Sequence, residues 1–97
     1  MNIISKKTLV QFYEKHSQAK IPLEVWHADV RKSQWENSEQ IKRDYASASF
    51  LHDNRVVFNI KGNHYRLVVL VVYQHGVVYI RFVGTHEEYD RIDAATI

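Results

Sequence analysis

Residues 55–83 read RVVFNIKGNHYRLVVLVVYQHGVVYIRFV, and this stretch decides the fold. It is rich in Val, Ile, Phe and Tyr, which strands favour, and turn residues interrupt it at Gly62-Asn63 and His75-Gly76. The pattern predicts three antiparallel strands joined by two hairpins. The predicted strands are Arg55–Ile60, Tyr65–Tyr73 and Val77–Val83.

Hairpins centred on these two turns fix which residues face one another. Asn59 is then expected opposite Arg66, Leu70 opposite Arg81, and Arg66 opposite Thr85. Because side chains alternate with period two, one face of the sheet becomes apolar and the other polar and cationic. The predicted cationic face collects Asn59, Lys61, His64, Arg66, Tyr79, Arg81 and Thr85, with Val57, Val68, Leu70, Val72 and Val83 between them. The apolar face collects Val56, Phe58, Ile60, Tyr65, Leu67, Val69, Val71, Val78, Ile80 and Phe82.

The residues before the strands predict three helices and an edge strand. Ser5 can cap a helix to about Ser17, Pro22 suits the first turn of a second helix, and Asn37 with Gln40 resembles a capping box. Met1–Ile4 is expected to be an edge strand and Ala46–Phe50 a loop.

The chain is expected to end in a short helical turn that begins at Thr85, where Glu88 completes a capping box. The prediction is therefore one α+β domain over residues 1–97, with an antiparallel sheet and N-terminal helices packed on one of its faces. The apolar residues of the cationic face need partial cover, which the C-terminal tail can provide.

Charge is distributed unevenly along a chain whose net charge is only +2. Between Asp53 and Glu87 there is no acidic residue, yet this stretch holds four Lys or Arg and three His. Cations and imidazoles without carboxylates suit a polyanion and are a poor site for a divalent metal. We therefore expect nucleic-acid phosphates as the ligand and no cofactor. A zinc site at His64, His75 and His86 is disfavoured because His75 belongs to the far end of the hairpin.

Several classes of protein are disfavoured by composition. The chain has no cysteine, its apolar run Leu67–Tyr73 is far too short to span a bilayer, and its first residues do not resemble a signal peptide. We expect a cytoplasmic protein that does not associate with membranes.

The predicted cationic face suits metal-free cleavage of an RNA phosphodiester, in which arginines stabilise the charge that develops on phosphate. Lys61, Arg66 and Arg81 would supply that charge. His86 is the titrating group, and we expect the neighbouring cations to lower its pKa and favour a base. Tyr89, one helical turn after Thr85, can stack on a base or hydrogen-bond the phosphate.

Four phrases of the sequence together resemble the HigB family of type II toxin–antitoxin toxins, within the RelE-like superfamily. They are FNIKGN (residues 58–63), YRLV (65–68), YIRF (79–82) and THEEYD (85–90). The resemblance runs the full length of the chain and is densest from Ala48 onward.

This resemblance implies a small RelE-like toxin fold and metal-independent mRNA cleavage, usually of a message in the A site of a translating ribosome. It also implies a HigA-like antitoxin with a helix-turn-helix, and contact with operator DNA only through that antitoxin. Arg66 and Arg81 match the family's strand positions, Lys61 its hairpin position, and His86 and Tyr89 its C-terminal positions. Which of His86 and Tyr89 acts as acid or base stays open.

Two other functions compete with this interpretation. The same face would serve a non-catalytic RNA- or ribosome-binding module, which needs no titratable group at the site. A purely structural subunit would leave the acid-free face unexplained. Asn59 and Asn63 are more typical of turns and hydrogen bonds than of ligands.

Overall fold

The computed structural model describes all 97 residues and has the predicted α+β class. Its five strands are β1 (Asn2–Ile4), β2 (Ser49–Phe50), β3 (Arg55–Ile60), β4 (Tyr65–Val72) and β5 (Val77–Thr85). Its α-helices are α1 (Lys6–Lys15), α2 (Lys20–Lys32), α3 (Ser38–Asp44) and α4 (His86–Asp90), with 3-10 helices at Ser17–Ala19 and Tyr73–His75. None of the helices has the length and apolar character that crossing a membrane requires.

The main core lies between α1, α2 and one face of the sheet, as the hydrophobic pattern predicts. Leu9 on α1 and Leu23, Trp26 and Val30 on α2 are buried against that face. The ring of Trp26 meets that of Phe58 on β3 edge-on, with centroids 5.4 Å apart. Burying large side chains of this kind contributes about 1.5–3 kcal/mol each. The prediction that the N-terminal helices pack on one sheet face is confirmed.

The sheet is mixed, which corrects the prediction of a wholly antiparallel one. Its strands lie in the order β1-β5-β4-β3-β2, and β1 pairs with β5 in parallel, with Asn2 beside Val77. The predicted loop Ala46–Phe50 also contains the two-residue strand β2, which pairs with β3. Both errors concern short edge strands, whose direction and partner depend on distant parts of the chain rather than on local pattern.

The first hairpin has the predicted register and the second does not. Asn59 pairs with Arg66 as expected. Leu70 pairs with Tyr79 rather than Arg81, because the loop is Tyr73–Gly76 and Gly76 ends it in the left-handed conformation (φ 64°). The pairing near this loop is thus displaced by two residues, which keeps each side chain on its predicted face.

A β-bulge in β5 shifts the pairing back by one residue, so the displacement from the predicted register is one residue beyond it. Val69 pairs with Ile80 but Val68 pairs with Phe82, so Arg81 is the extra residue of the bulge. Beyond it the faces exchange. Phe82 leaves the predicted apolar face for the opposite one, while Val83 and Thr85 turn to the side of the helices. Arg66 therefore pairs with Gly84 and not with Thr85.

The face opposite the helices, here called the open face, is partly covered by the C-terminal residues, as expected. Val57, Val68 and Ala94 form a small buried cluster there, with Phe82, Tyr89, Ile92 and Ile97 packed around it. The exchange of faces at the bulge has a physical reason, since Phe82 and Val83 each reach an apolar cluster, one on either side of the sheet.

Helix α4 begins at the predicted capping box. The hydroxyl of Thr85 accepts from the backbone N–H of Glu88 at 3.1 Å, and a carboxylate oxygen of Glu88 accepts from the N–H of Thr85 at 2.7 Å. That second bond lowers the pKa of the Glu88 carboxyl below its ordinary value of 4.5. At the other predicted box, Asn37 caps Gln40 as expected, but Gln40 reaches the N–H of Glu36 instead of Asn37.

Gly84 has no room for a side chain, because a Cβ there would lie 2.5 Å from Cζ of Phe82. We expect Gly84→Ala to lower the free energy of unfolding by about 1–3 kcal/mol, as overpacking does. Urea denaturation measures this loss. Phe82→Leu shortens the obstructing ring, so the double variant should lose less stability than the two single variants added together. Additive losses would show that Phe82 is not the cause.

The capping box predicts a pH-dependent stability. Because the folded pKa of Glu88 is lowered, its carboxylate contributes stability that is complete above about 4.5 and is lost as the pH falls through the lowered pKa. Glu88→Gln should cost about 0.5 kcal/mol or less at neutral pH, since the group is exposed, and progressively less in acid. Urea denaturation over a pH series tests this, with Glu87→Gln as the control for charge. A cost that does not change with pH would contradict the role of the carboxylate.

Candidate active site

Arg66 lies on the open face of β4, between Asn59 on β3 and Gly84 on β5. Its guanidinium donates from Nη1 to the backbone carbonyl of Asn63 and from Nη2 to the Oδ1 of Asn63, both at 3.3 Å. No carboxylate pairs with it. Both acceptors are neutral oxygens, so the positive charge of Arg66 remains available to an anion while its position is fixed.

The β3–β4 turn makes this position possible. Lys61 and Gly62 both have left-handed backbone angles, with φ of 52° and 62°. The turn therefore folds back, and Asn63 reaches the guanidinium of Arg66. The sequence predicts Asn63 only as a turn residue. The Gly62-Asn63 pair marked the turn, but nothing in it indicated contact with the arginine.

Tyr89 on α4 is the aromatic neighbour of Arg66. The centroid of its ring lies 6.0 Å from Cζ of Arg66, at the limit of a cation–π contact. The same half-buried side chain packs against the cluster around Val57 and Val68. Tyr89 therefore packs on the open face and at the same time lies beside Arg66.

His86 is the first residue of α4 and is exposed. Its backbone N–H donates to the carbonyl of His64 at 3.1 Å, which attaches the helix to the β3–β4 turn. Its ring Nδ1 lies 3.0 Å from an Asp90 carboxylate oxygen. This corrects the expectation of a cationic surrounding, because the charged group that touches the imidazole is acidic. The i,i+4 spacing of His86 and Asp90 was the signal that could have found this pair.

Lys61 and Arg81 lie apart from Arg66. The amine of Lys61 donates to Oε1 of Gln18 at 2.6 Å, on the 3-10 helix between α1 and α2. Lys61 therefore leans toward the helices instead of joining the open face. Arg81 lies on the open face as predicted, but three residues before Gly84, which is roughly 10 Å along the strand.

The Nε of Arg81 donates to the carbonyl oxygen of Ile97 at 3.3 Å, and the Nε of Arg55 donates to the same oxygen at 2.9 Å. Phe82 and the C-terminal residues thus separate Arg81 from Arg66. Of the five predicted residues, the structure brings Arg66 and Tyr89 together. His86 lies one helical turn from Tyr89 on α4. Lys61 and Arg81 lie apart from this group.

A polar groove of about 370 Å³ adjoins Arg66. It is lined by Ser47, Asn59, Gly62 and Asn63, without a charged or apolar side chain. Asn59 pairs with Arg66 and Asn63 hydrogen-bonds to it, so the groove opens beside the guanidinium. Amides and a hydroxyl can meet the polar edges of a base or a ribose, while Arg66 meets a phosphate.

The six histidines do not converge. His64 and His86 lie at the same end of the sheet, whereas His75 belongs to the loop at the other end. Nowhere in the structure do three His, Cys, Asp or Glu side chains assemble as metal ligands would.

Comparison with known proteins agrees with the resemblance seen in the sequence. Residues 19–92, which include all five predicted site residues, match the HigB_toxin family, described as the RelE-like toxic component of a toxin-antitoxin system. The mRNA interferase toxin HigB of Escherichia coli (strain K12) is 35% identical over 92 residues, which cover 93% of this chain and 88% of that protein. Proteins named mRNA interferase HigB from Escherichia coli O157:H7 and Shigella flexneri match with the same identity and coverage. The chain therefore belongs to the HigB_toxin family of RelE-like toxins.

Proposed function

We propose that this toxin is a metal-independent mRNA endonuclease whose active site is built on Arg66. The observation that carries the proposal is the guanidinium of Arg66, which is fixed by Asn63, free of any carboxylate and next to a polar groove. The names of its relatives, which are mRNA interferases, support the same activity. All 97 residues would form this one toxin domain, since the main core draws on residues from Leu9 to Ile80.

In the proposed reaction the 2′-oxygen attacks the adjacent phosphorus and the bond from phosphorus to the 5′-oxygen breaks. A base removes the proton of the 2′-hydroxyl and an acid protonates the 5′-oxygen that leaves. Arg66 stabilises the negative charge that accumulates on the phosphoryl oxygens. His86 and Tyr89 are the candidates for the proton transfers, and Asp90 orients the imidazole of His86.

Lys61 and Arg81 are proposed to act beside the scissile phosphate instead of on it. The amine of Lys61 is bound by a neutral amide, so its charge remains available to a phosphate that flanks the cleavage site. Arg81 is exposed and shares a neutral carbonyl oxygen with Arg55. A bound RNA strand that runs over the open face would meet Arg66 and Arg81 in turn.

The biological setting of the proposal follows from the family. As the toxic component of a toxin–antitoxin system, the protein has an antitoxin partner. We propose that this antitoxin is HigA-like with a helix-turn-helix, and that operator DNA is contacted only through it. The proposed substrate is mRNA in the ribosomal A site in the cytoplasm, and its cleavage would stop translation.

A second candidate function is RNA or ribosome binding without cleavage. The separation of Lys61 and Arg81 from His86 favours it, because dispersed cations serve binding as well as they serve catalysis. The two functions differ in whether His86 and Tyr89 matter for activity.

Induced expression in a bacterium, with primer extension to map mRNA ends, tests the proposal. We expect growth arrest and new cuts inside translated frames. Arg66→Ala should reduce cutting by about 10²–10³-fold, and Arg81→Ala should weaken it less without unfolding the domain. Arg43→Ala, an exposed arginine on α3, is the control and should leave cutting unchanged. Arrest without cuts would reject the endonuclease.

Replacing the proton-transfer candidates separates catalysis from binding. The double variant His86→Ala/Tyr89→Ala should stop cutting yet bind a labelled RNA with nearly native affinity, since the cations remain. Tyr89→Phe keeps the packing of the ring and removes only its hydroxyl. A large loss in Tyr89→Phe would assign proton transfer to Tyr89, and a double variant as toxic as the native protein would contradict both assignments.

A further inference from the structure

A second groove, of about 570 Å³, lies where β1 meets α1 and α2. It is lined by Met1, Asn2, Ile3, Lys6, His27 and Arg31. Asn2 lies beside Val77 at the beginning of β5, whereas Gly84, the strand neighbour of Arg66, lies near its end. Seven residues of strand span roughly 23 Å, so this groove is remote from the candidate active site.

The charge in this groove is positive and unpaired. Lys6 and Arg31 are exposed, no carboxylate belongs to the lining, and neither of the chain's two ion pairs involves these residues. Partial burial, together with the charges of Lys6 and Arg31, lowers the pKa of His27, so the two cations act on the same small space. Elsewhere in residues 1–53 basic and acidic residues are mixed almost equally.

We propose that Lys6, Arg31 and Asn2 bind the phosphate backbone of an RNA segment other than the strand that is cut. This inference rests on the proposed function, in which the protein acts on RNA. Lysine, arginine and asparagine are typical donors to nucleic-acid phosphates, and the groove has few apolar side chains to anchor a peptide. The groove is built on α1 and α2, which cover the face of the sheet opposite to Arg66, so its occupant is a second segment, such as the folded RNA that surrounds a bound message.

The test compares two double variants that each lose two positive charges, and a third variant that keeps them. Lys6→Gln/Arg31→Gln removes the two cationic side chains, Lys6 and Arg31, from the groove, and Lys7→Gln/Lys32→Gln removes their exposed sequence neighbours on the same two helices. Lys6→Arg/Arg31→Lys keeps the charge and guards against loss of fold. Affinity is measured by fluorescence anisotropy with a labelled RNA hairpin in which every ribose carries a 2′-O-methyl group, over a series of KCl concentrations. The probe has no free 2′-hydroxyl, so its binding does not depend on cleavage.

We expect the groove variant to bind the hairpin about tenfold more weakly and to reduce the salt slope by about 1.5, which corresponds to two lost phosphate contacts. The neighbour variant should change affinity less than about twofold, and the charge-conserving variant should bind like the native protein. Equal slopes for all proteins would overturn the proposal. If the groove variant lost binding to poly-L-glutamate but bound the hairpin like the native protein, the proposal would be overturned in favour of a site for an acidic protein segment.

This experiment and the cutting assay fail independently. Groove-dependent binding of the hairpin together with an absence of mRNA cuts would reject the proposed endonuclease and keep the second RNA site. Normal cutting by a protein whose groove variant binds the hairpin like the native protein would reject the second site alone.

Discussion

The sheet carries apolar side chains on both faces, so both faces must be covered, and the N-terminal helices cover only one. The second face is covered by α4 and the residues that follow it, which pack on Val57, Val68 and Phe82. This requirement brings the end of the chain back across the sheet. It places Tyr89 beside Arg66 and the carbonyl oxygen of Ile97 against Arg55 and Arg81. The arrangement of the candidate active site is therefore a consequence of covering the second face.

Much of the fold could be predicted because its signals are local. Turn residues located the first hairpin and its register, and the Thr85–Glu88 spacing located the beginning of α4. The predicted register of the second hairpin was wrong for two reasons. Gly76 lies at the end of the loop and not at its centre, and the bulge at Arg81 follows from packing on two faces of the sheet. Neither the parallel pairing of β1 nor the existence of β2 has a local signal, since each depends on a distant strand.

The candidate site was predictable in its residue types and less so in its partners. The absence of carboxylates between Asp53 and Glu87 indicated an anion site on the strands, and Arg66 has no acidic partner. Asp90 enters from outside that acid-free stretch and touches His86, which charge counting along the strands could not foresee. Arg66 is held by Asn63, and Lys61 is held by Gln18. Neither hydrogen bond follows from the periodicity of the sequence, because both depend on how the β3–β4 turn bends.

Helix α4 has only five residues, far fewer than an isolated helix needs to persist in water. Its order depends on the Thr85–Glu88 cap and on the contacts of Tyr89 with the open face. The pairing of His86 with Asp90 spans this helix from its first residue to its last, so it exists only while the helix is intact. On warming, the helix would fray before the sheet and its core melt. The geometry of the site therefore depends on one and a half helical turns, the shortest α-helix of the fold, and not on the stability of the main core.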